Sequence, residues 1–225
     1  MNEMREDKGL AFFGRVTASV SHEMNNVLAI VNELAGLVND LLYGLKQGDD
    51  NGLERLGQAA EGIQKQIRRG EEIVKRMNRF AHSVDDPISE FDLHVVIADM
   101  AAMAQRRAAL KGVRFETMLC QEPIMITGVR FEIQRLAFAG FELASSALAG
   151  GGTVSIASRR LENLAEISIT AAAWKENGDV LKMKSELSAD MRRLNGTLFW
   201  ELGTAINFPL VLSFPIALSV EKRGQ

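Results

Sequence analysis

The sequence predicts an α+β protein: an N-terminal helical hairpin that pairs with a second copy as a dimeric four-helix bundle, followed by an α/β sandwich. Three features carry this. Apolar residues keep a heptad rhythm over residues 10–45, and the rhythm resumes over residues 56–81 after a polar, glycine-containing break. Beyond residue 90, helical periods alternate with runs of period two.

In the first helix Phe13, Val20, Val27, Leu34 and Leu41 stand seven apart, and Met24, Val31, Val38 and Leu45 form a companion row. Val16, Ile30 and Leu37 widen the stripe beyond a two-stranded seam. Gly, Gln, Asp and Asn between residues 44 and 52 form a turn near Asp49. Leu56, Ala60, Ile63, Ile67, Val74, Met77 and Ala81 then continue the rhythm in a second helix, folded back antiparallel. Two helices alone cannot enclose so wide a stripe. The simplest cover is a homodimer, although the hairpin could instead pack on the rest of its own chain. Residues 83–89, centred on Asp85-Asp86-Pro87, break the second helix and divide the chain into residues 1–86 and 87–225.

Composition narrows the function. The 225 residues are 47% apolar and 24% charged, which excludes wholesale disorder. The net charge of −3 offers no basic field for nucleic acid or an anionic membrane. Cys120 is the one cysteine, so no internal disulfide forms and a reducing cytoplasm is the expected compartment. The first residues lack the apolar stretch of a signal peptide, and a chain of this length is expected to draw its input from another protein. Residues 206–220 are apolar but broken by Asn207, Pro209, Ser213 and Pro215, and read as strands rather than a membrane span.

With Val20 and Val27 assigned to the buried row, His22 falls two residues past Val20, on the outer part of the first helix. Asn26 lies one turn on, and Glu23 flanks it at the edge of the seam. Alone, such a histidine reads as an ordinary surface residue. Its neighbours read Ser21-His22-Glu23-Met24-Asn25-Asn26-Val27-Leu28. That string resembles the phospho-accepting box of bacterial sensor histidine kinases, in which His-Glu is followed by two variable residues, then Asn or Thr, Pro and Leu. The resemblance makes His22 the phosphorylated histidine, Glu23 the acidic neighbour that assists transfer, and Asn26 the residue that positions water in dephosphorylation. Val27 replaces the usual proline, so the helix is expected to run straighter than in the relatives.

The residue types suit the chemistry. A neutral imidazole offers one nucleophilic nitrogen, and an adjacent carboxylate can hold the other as N–H. Phosphoryl transfer then depends on in-line positioning and charge neutralisation. Lys65, Arg68, Arg69, Lys75, Arg76 and Arg79 make the second helix basic in its distal half. Folding about Asp49 brings Lys75, Arg76 and Arg79 level with His22. They form either a solvated face or a cationic collar for an acidic, phosphate-carrying partner.

The remainder reads as helix over residues 93–110, strand over 113–119, helix over 130–148, a β-hairpin over 153–159 and 165–171, helix over 180–194, and strands over 197–202 and 206–214. This order resembles the ATP-binding domain of the same kinases. Its nucleotide features are degraded. Ser146 stands at the position of the Mg²⁺-binding asparagine, and Glu142 at that of a general base. Ala171-Ala172-Ala173 replaces the adenine-binding aspartate, for which Glu176-Asn177-Gly178 is a poor substitute. Gly150-Gly151-Gly152 leads into a strand, not a helix, and reads as a turn.

The combination resembles the dimeric histidine phosphotransferases of phosphorelays. The resemblance implies that His22 passes a phosphoryl group between receiver domains of response regulators, with no bound cofactor and with Mg²⁺ supplied by the receiver. The alternatives are a divergent autophosphorylating kinase using Ser146 and Glu176, and a non-catalytic dimeric adaptor for a response regulator. Charge is uneven: residues 1–86 hold 11 basic and 14 acidic side chains, and residues 87–225 hold 15 of each. Its local arrangement suits an acidic protein partner better than nucleic acid or membrane.

Overall fold

A computed structural model describes residues 2–46, 51–86, 88–148, 150–175, 177–200 and 209–217, with residues 2–6 as backbone. The protein is α+β, with five α-helices and two sheets among the described residues. The chain divides into two compact units. One comprises residues 13–81, and the other residues 1–12 with 82–225.

The first unit is the helical hairpin. Helix α1 (Asn2–Lys46) runs unbroken through Val27, as expected where proline is absent, and α2 (Gly52–Ala81) returns antiparallel. Both begin earlier than apolar periodicity indicated, because their first turns are polar or glycine-containing. The predicted turn at Asp49 lies outside the described residues. Glycines on α2 set the register. A β-carbon on Gly62 would stand 2.9 Å from a Leu34 methyl carbon, and one on Gly52 would stand 2.7 Å from Leu45 Cγ. Gly70 faces Val27 and Met24, and the Phe13 and Phe80 rings stack at 5.5 Å. Without side chains at these glycines, the α1 aliphatics can lie directly against the α2 backbone.

By length and composition alone, α1 over Asp7–Lys46 could cross a membrane. The seam it presents to α2 is also what a bundle helix requires.

In the second unit a 3-10 turn (His82–Val84) leads to β1 (Ser89–Asp92), α3 (Leu93–Ala109), β2 (Val113–Met118), β3 (Met125–Gly128) and α4 (Arg130–Ala147). Then follow β4 (Gly152–Leu161), β5 (Leu164–Ala171), α5 (Gly178–Arg192), β6 (Thr197–Phe199) and β7 (Leu210–Pro215). β1 and β3 form a two-stranded antiparallel sheet that sequence reading did not anticipate. The main sheet runs β2-β4-β5-β7-β6, parallel only between β2 and β4.

Alternate residues of β4 and β5 are buried: Val154 and Ile156, then Ala165, Ile167 and Ile169. They form the core face, against which the helices pack. Gly140 of α4 lies against the sheet, where a β-carbon would be 2.8 Å from a Leu212 methyl carbon. Gly150, Gly151 and Gly152 all have positive φ, and Gly152 N–H donates to the Gly112 carbonyl at 2.9 Å. The triple glycine is therefore the helix-to-sheet turn that its sequence suggested.

The start of α1 belongs to this unit. The Phe12 ring lies 5.4 Å from Phe131 and 5.3 Å from Phe138, and Lys8 Nζ reaches Asp190 at 3.1 Å. Asp190 also accepts from Arg135 at 2.8 Å and Arg193 at 3.2 Å, and Arg135 pairs with Glu132 at 2.9 Å. Burial works to raise the Asp190 pKa. Hydrogen bonds and charge from Arg135 and Lys8 outweigh burial and hold it below the ordinary aspartate value.

A depressed folded-state pKa contributes stability above the unfolded value, and that stability is lost as pH falls through the folded value. Thermal unfolding of the wild type should therefore lose stability below about pH 4. Asp190→Asn should remove part of that dependence. It should also cost about 3 kcal/mol near neutrality, the low end for a broken buried pair, because Glu132 still holds Arg135. Denaturant unfolding across pH measures both effects.

Candidate functional site

His22 is exposed near the middle of α1, away from either helix end, on a stretch whose backbone hydrogen bonds are closed within the helix. At 3.6 residues per turn it lies about 160° around α1 from Met24 and about 140° from Val27. Those two residues face α2, so the imidazole points to the opposite side. Glu23 is half-buried beside it, and Asn26 is exposed one turn on. Ala18 and Ala29, one and two turns away on the same face, are both exposed. Small neighbours leave the imidazole accessible to a bulky protein partner. Sequence reading missed this, although the alanines stand four before and seven after the histidine.

The register places residues 71–79 of α2 at the level of His22, between the Gly70–Val27 and Phe80–Phe13 contacts. Lys75, Arg76 and Arg79 all fall in this stretch. Lys75 is exposed and bonds Glu72 at 3.0 Å, and Arg76 and Arg79 are half-buried. A hydrogen bond from Lys75 and its charge lower the Glu72 pKa, with Arg76 and Arg79 adding to the effect. Lys75 lines an apolar groove between the helices, formed by Met24, Val27, Leu28 and Val31 with Ile67 and Val74. His22 and Lys75 thus share a level but stand on different sides of α1. The structure brings His22, Glu23 and Asn26 onto one helical turn, and sets the cations apart on α2.

In the second unit, the two positions that sequence matched to a nucleotide site are held by cations. Ser146 Oγ accepts from Lys111 Nζ at 2.7 Å and donates to the Glu142 carbonyl at 2.9 Å. The Glu142 carboxylate pairs with Arg107 at 3.1 Å. An ammonium and a guanidinium therefore satisfy these two groups. Asn177 serves as the N-cap of α5, accepting from Val180 N–H at 2.9 Å, and β5 and α5 are joined by residues 172–177 alone. Glu176 lies outside the described residues.

No family model matches the chain, and no curated protein matches it. Solved structures of histidine kinases are similar to it. A histidine kinase from Burkholderia phymatum is 15% identical over 85% of this chain and 98% of its own, with a TM-score of 0.48. The Acinetobacter baumannii histidine kinase AdeS is 13% identical over 81% of this chain and 95% of its own, also at 0.48. The histidine kinase ThkA in complex with the response regulator TrrA is 16% identical over 94% of this chain and 64% of its own, at 0.47.

Lys75→Met should raise the Glu72 pKa back toward the ordinary glutamate value. The return should be incomplete, because Arg76 and Arg79 remain. Carboxyl-carbon NMR titration of the two proteins measures the change.

Proposed function

We propose that the chain is a phospho-accepting protein of two-component signalling, in which His22 takes a phosphoryl group from the aspartyl phosphate of one receiver domain and passes it to another. The observation that carries this is an exposed His22 with Glu23 and Asn26 on one turn of a helical hairpin, flanked by Ala18 and Ala29. The neutral imidazole attacks phosphorus in line, and the receiver aspartate leaves as carboxylate. Glu23 holds the second ring nitrogen as N–H, and the reverse step regenerates the free histidine. Mg²⁺ belongs to the receiver's acidic pocket. Lys75, Arg76 and Arg79 attract that acidic surface during approach, without touching the phosphoryl group.

The phosphoryl source is the point on which the readings divide. Arg107 on Glu142 and Lys111 on Ser146 favour a receiver over ATP, because Mg²⁺ at these groups would have to displace two cations. The solved structures named above are kinases, and they fit the alternative of a divergent autophosphorylating kinase better than they fit a transferase. Both readings require the same histidine and a response-regulator partner.

The hairpin functions as a homodimer in this proposal. Leu28, Ile67 and Val74 are 58%, 50% and 46% exposed along the groove between α1 and α2. A second hairpin would cover them as a four-helix bundle and leave the His22 face in solvent. The compartment is the cytoplasm, where receivers and a reduced Cys120 are expected.

Incubation with a phosphorylated receiver should label the wild type on a base-stable, acid-labile histidine, and should not label His22→Ala. Ala18→Trp should keep the hairpin's thermal stability, because position 18 is exposed, yet slow labelling by about tenfold or more by obstructing approach. A wild type that takes no label excludes the transferase. Leu28→Glu with Val74→Glu should convert the molar mass by light scattering from dimer to monomer.

A further inference from the structure

A second cluster of reactive side chains lies in the other unit, on four separate elements. Asp92 ends β1, His94 is in the first turn of α3, Ser158 is in β4, and Cys120 follows β2 by two residues. The parallel pairing of β2 with β4, which sets Met118 beside Ala157, brings Cys120 next to Ser158. His94 Nε2 stands 2.8 Å from Ser158 Oγ and 3.4 Å from Cys120 Sγ. Cys120 N–H donates to Ser158 Oγ at 3.3 Å, and Oγ lies 3.6 Å from Sγ. His94 Nδ1 faces Asp92 Oδ1 at 4.0 Å, and that oxygen accepts from the backbone N–H groups of His94 at 2.9 Å and Ile124 at 3.2 Å.

These contacts set a proton acceptor beside the thiol, whose Sγ–H also reaches the Glu122 carbonyl at 3.4 Å. With its proton on Nδ1, the nitrogen on the Asp92 side, the His94 ring presents Nε2 as the acceptor facing Sγ and Oγ. Once Sγ is deprotonated, Nε2–H and the Ser158 hydroxyl can both turn to it as donors. Access separates the two nucleophiles. Ser158 is 8% exposed, whereas Cys120 is exposed to solvent.

We propose that Cys120 is a thiol–disulfide exchange site for small disulfides of the glutathione type, with His94 as proton acceptor and Ser158 as a positioning hydroxyl. Sγ attacks one sulfur of the disulfide and its proton passes to His94 Nε2. The disulfide S–S bond breaks, and a new S–S bond joins Cys120 to the attacked sulfur. The second sulfur leaves as a thiolate and takes the proton from Nε2. Cys120 is oxidised to a mixed disulfide, and the departing half is reduced to a thiol. The site is independent of His22 chemistry.

Because Cys120 is the only cysteine, every thiol signal from the full-length chain reports on it. The test is its reaction rate with oxidised glutathione, followed by intact mass, at about pH 6, where an ordinary thiol with a pKa of about 8.5 is almost wholly protonated. The folded chain should react at least about tenfold faster than the same chain unfolded in urea, a gain within the reach of one positioned general base. His94→Gln, checked by circular dichroism, should abolish that gain, and Ser158→Ala should reduce it. Equal rates for folded and unfolded chains overturn the proposal without relying on a variant. A folded His94→Gln protein that reacts at the wild-type rate overturns it as well.

Discussion

The hairpin depends on one constraint: α1 must bury an apolar stripe while its opposite side stays in water. Glycines on α2 meet the first half of that demand. Gly52, Gly62 and Gly70 recur along the helix and admit Leu45, Leu34 and the Val27–Met24 pair, which locks the antiparallel register. Helical periodicity meets the second half. Once Met24 and Val27 are committed to α2, His22 has only the solvent side left. The exposure of the imidazole thus follows from core packing two and five residues away. The same packing leaves Leu28, Ile67 and Val74 uncovered, so one hairpin holds its register yet has apolar surface to spare.

In the second unit, ion pairs occupy places that the sequence comparison reserved for nucleotide chemistry. Arg107 and Lys111, from the end of α3 and just beyond it, reach Glu142 and Ser146 on α4. They join α3 to α4, whose packing supports the sheet. A second set of ion pairs, centred on Asp190, holds the first turns of α1 against α4 and α5. Charged groups in this unit therefore tie its helices to one another.

Much of this was legible in the sequence because it rests on periodicity. The two long helices, helices over 93–110 and 130–148, and the β4–β5 hairpin all carry enough periods to declare themselves. β1 and β3 did not, since four residues such as Ser89–Asp92 give only two alternations. The first turns of α1 are polar and carry no apolar period, so their attachment through Lys8 and Phe12 was invisible. His22, Glu23 and Asn26 could be found because one helical turn keeps them close in sequence. Asp92, His94, Cys120 and Ser158 could not, because only the β2–β4 pairing and the packing of α3 bring together residues up to 66 positions apart. Sequence matched Glu142 and Ser146 to a degraded site, but their cationic partners are supplied by the fold.

The central claim is that His22 is charged from outside the chain and not from ATP held by the second unit. Calorimetric titration of Mg·ATP into the full-length protein tests it most directly. The account predicts heats no larger than those of dilution, because Lys111 and Arg107 already satisfy Ser146 and Glu142. A saturable isotherm, accompanied by phosphate from ATP appearing on wild-type protein and not on His22→Ala, would contradict it.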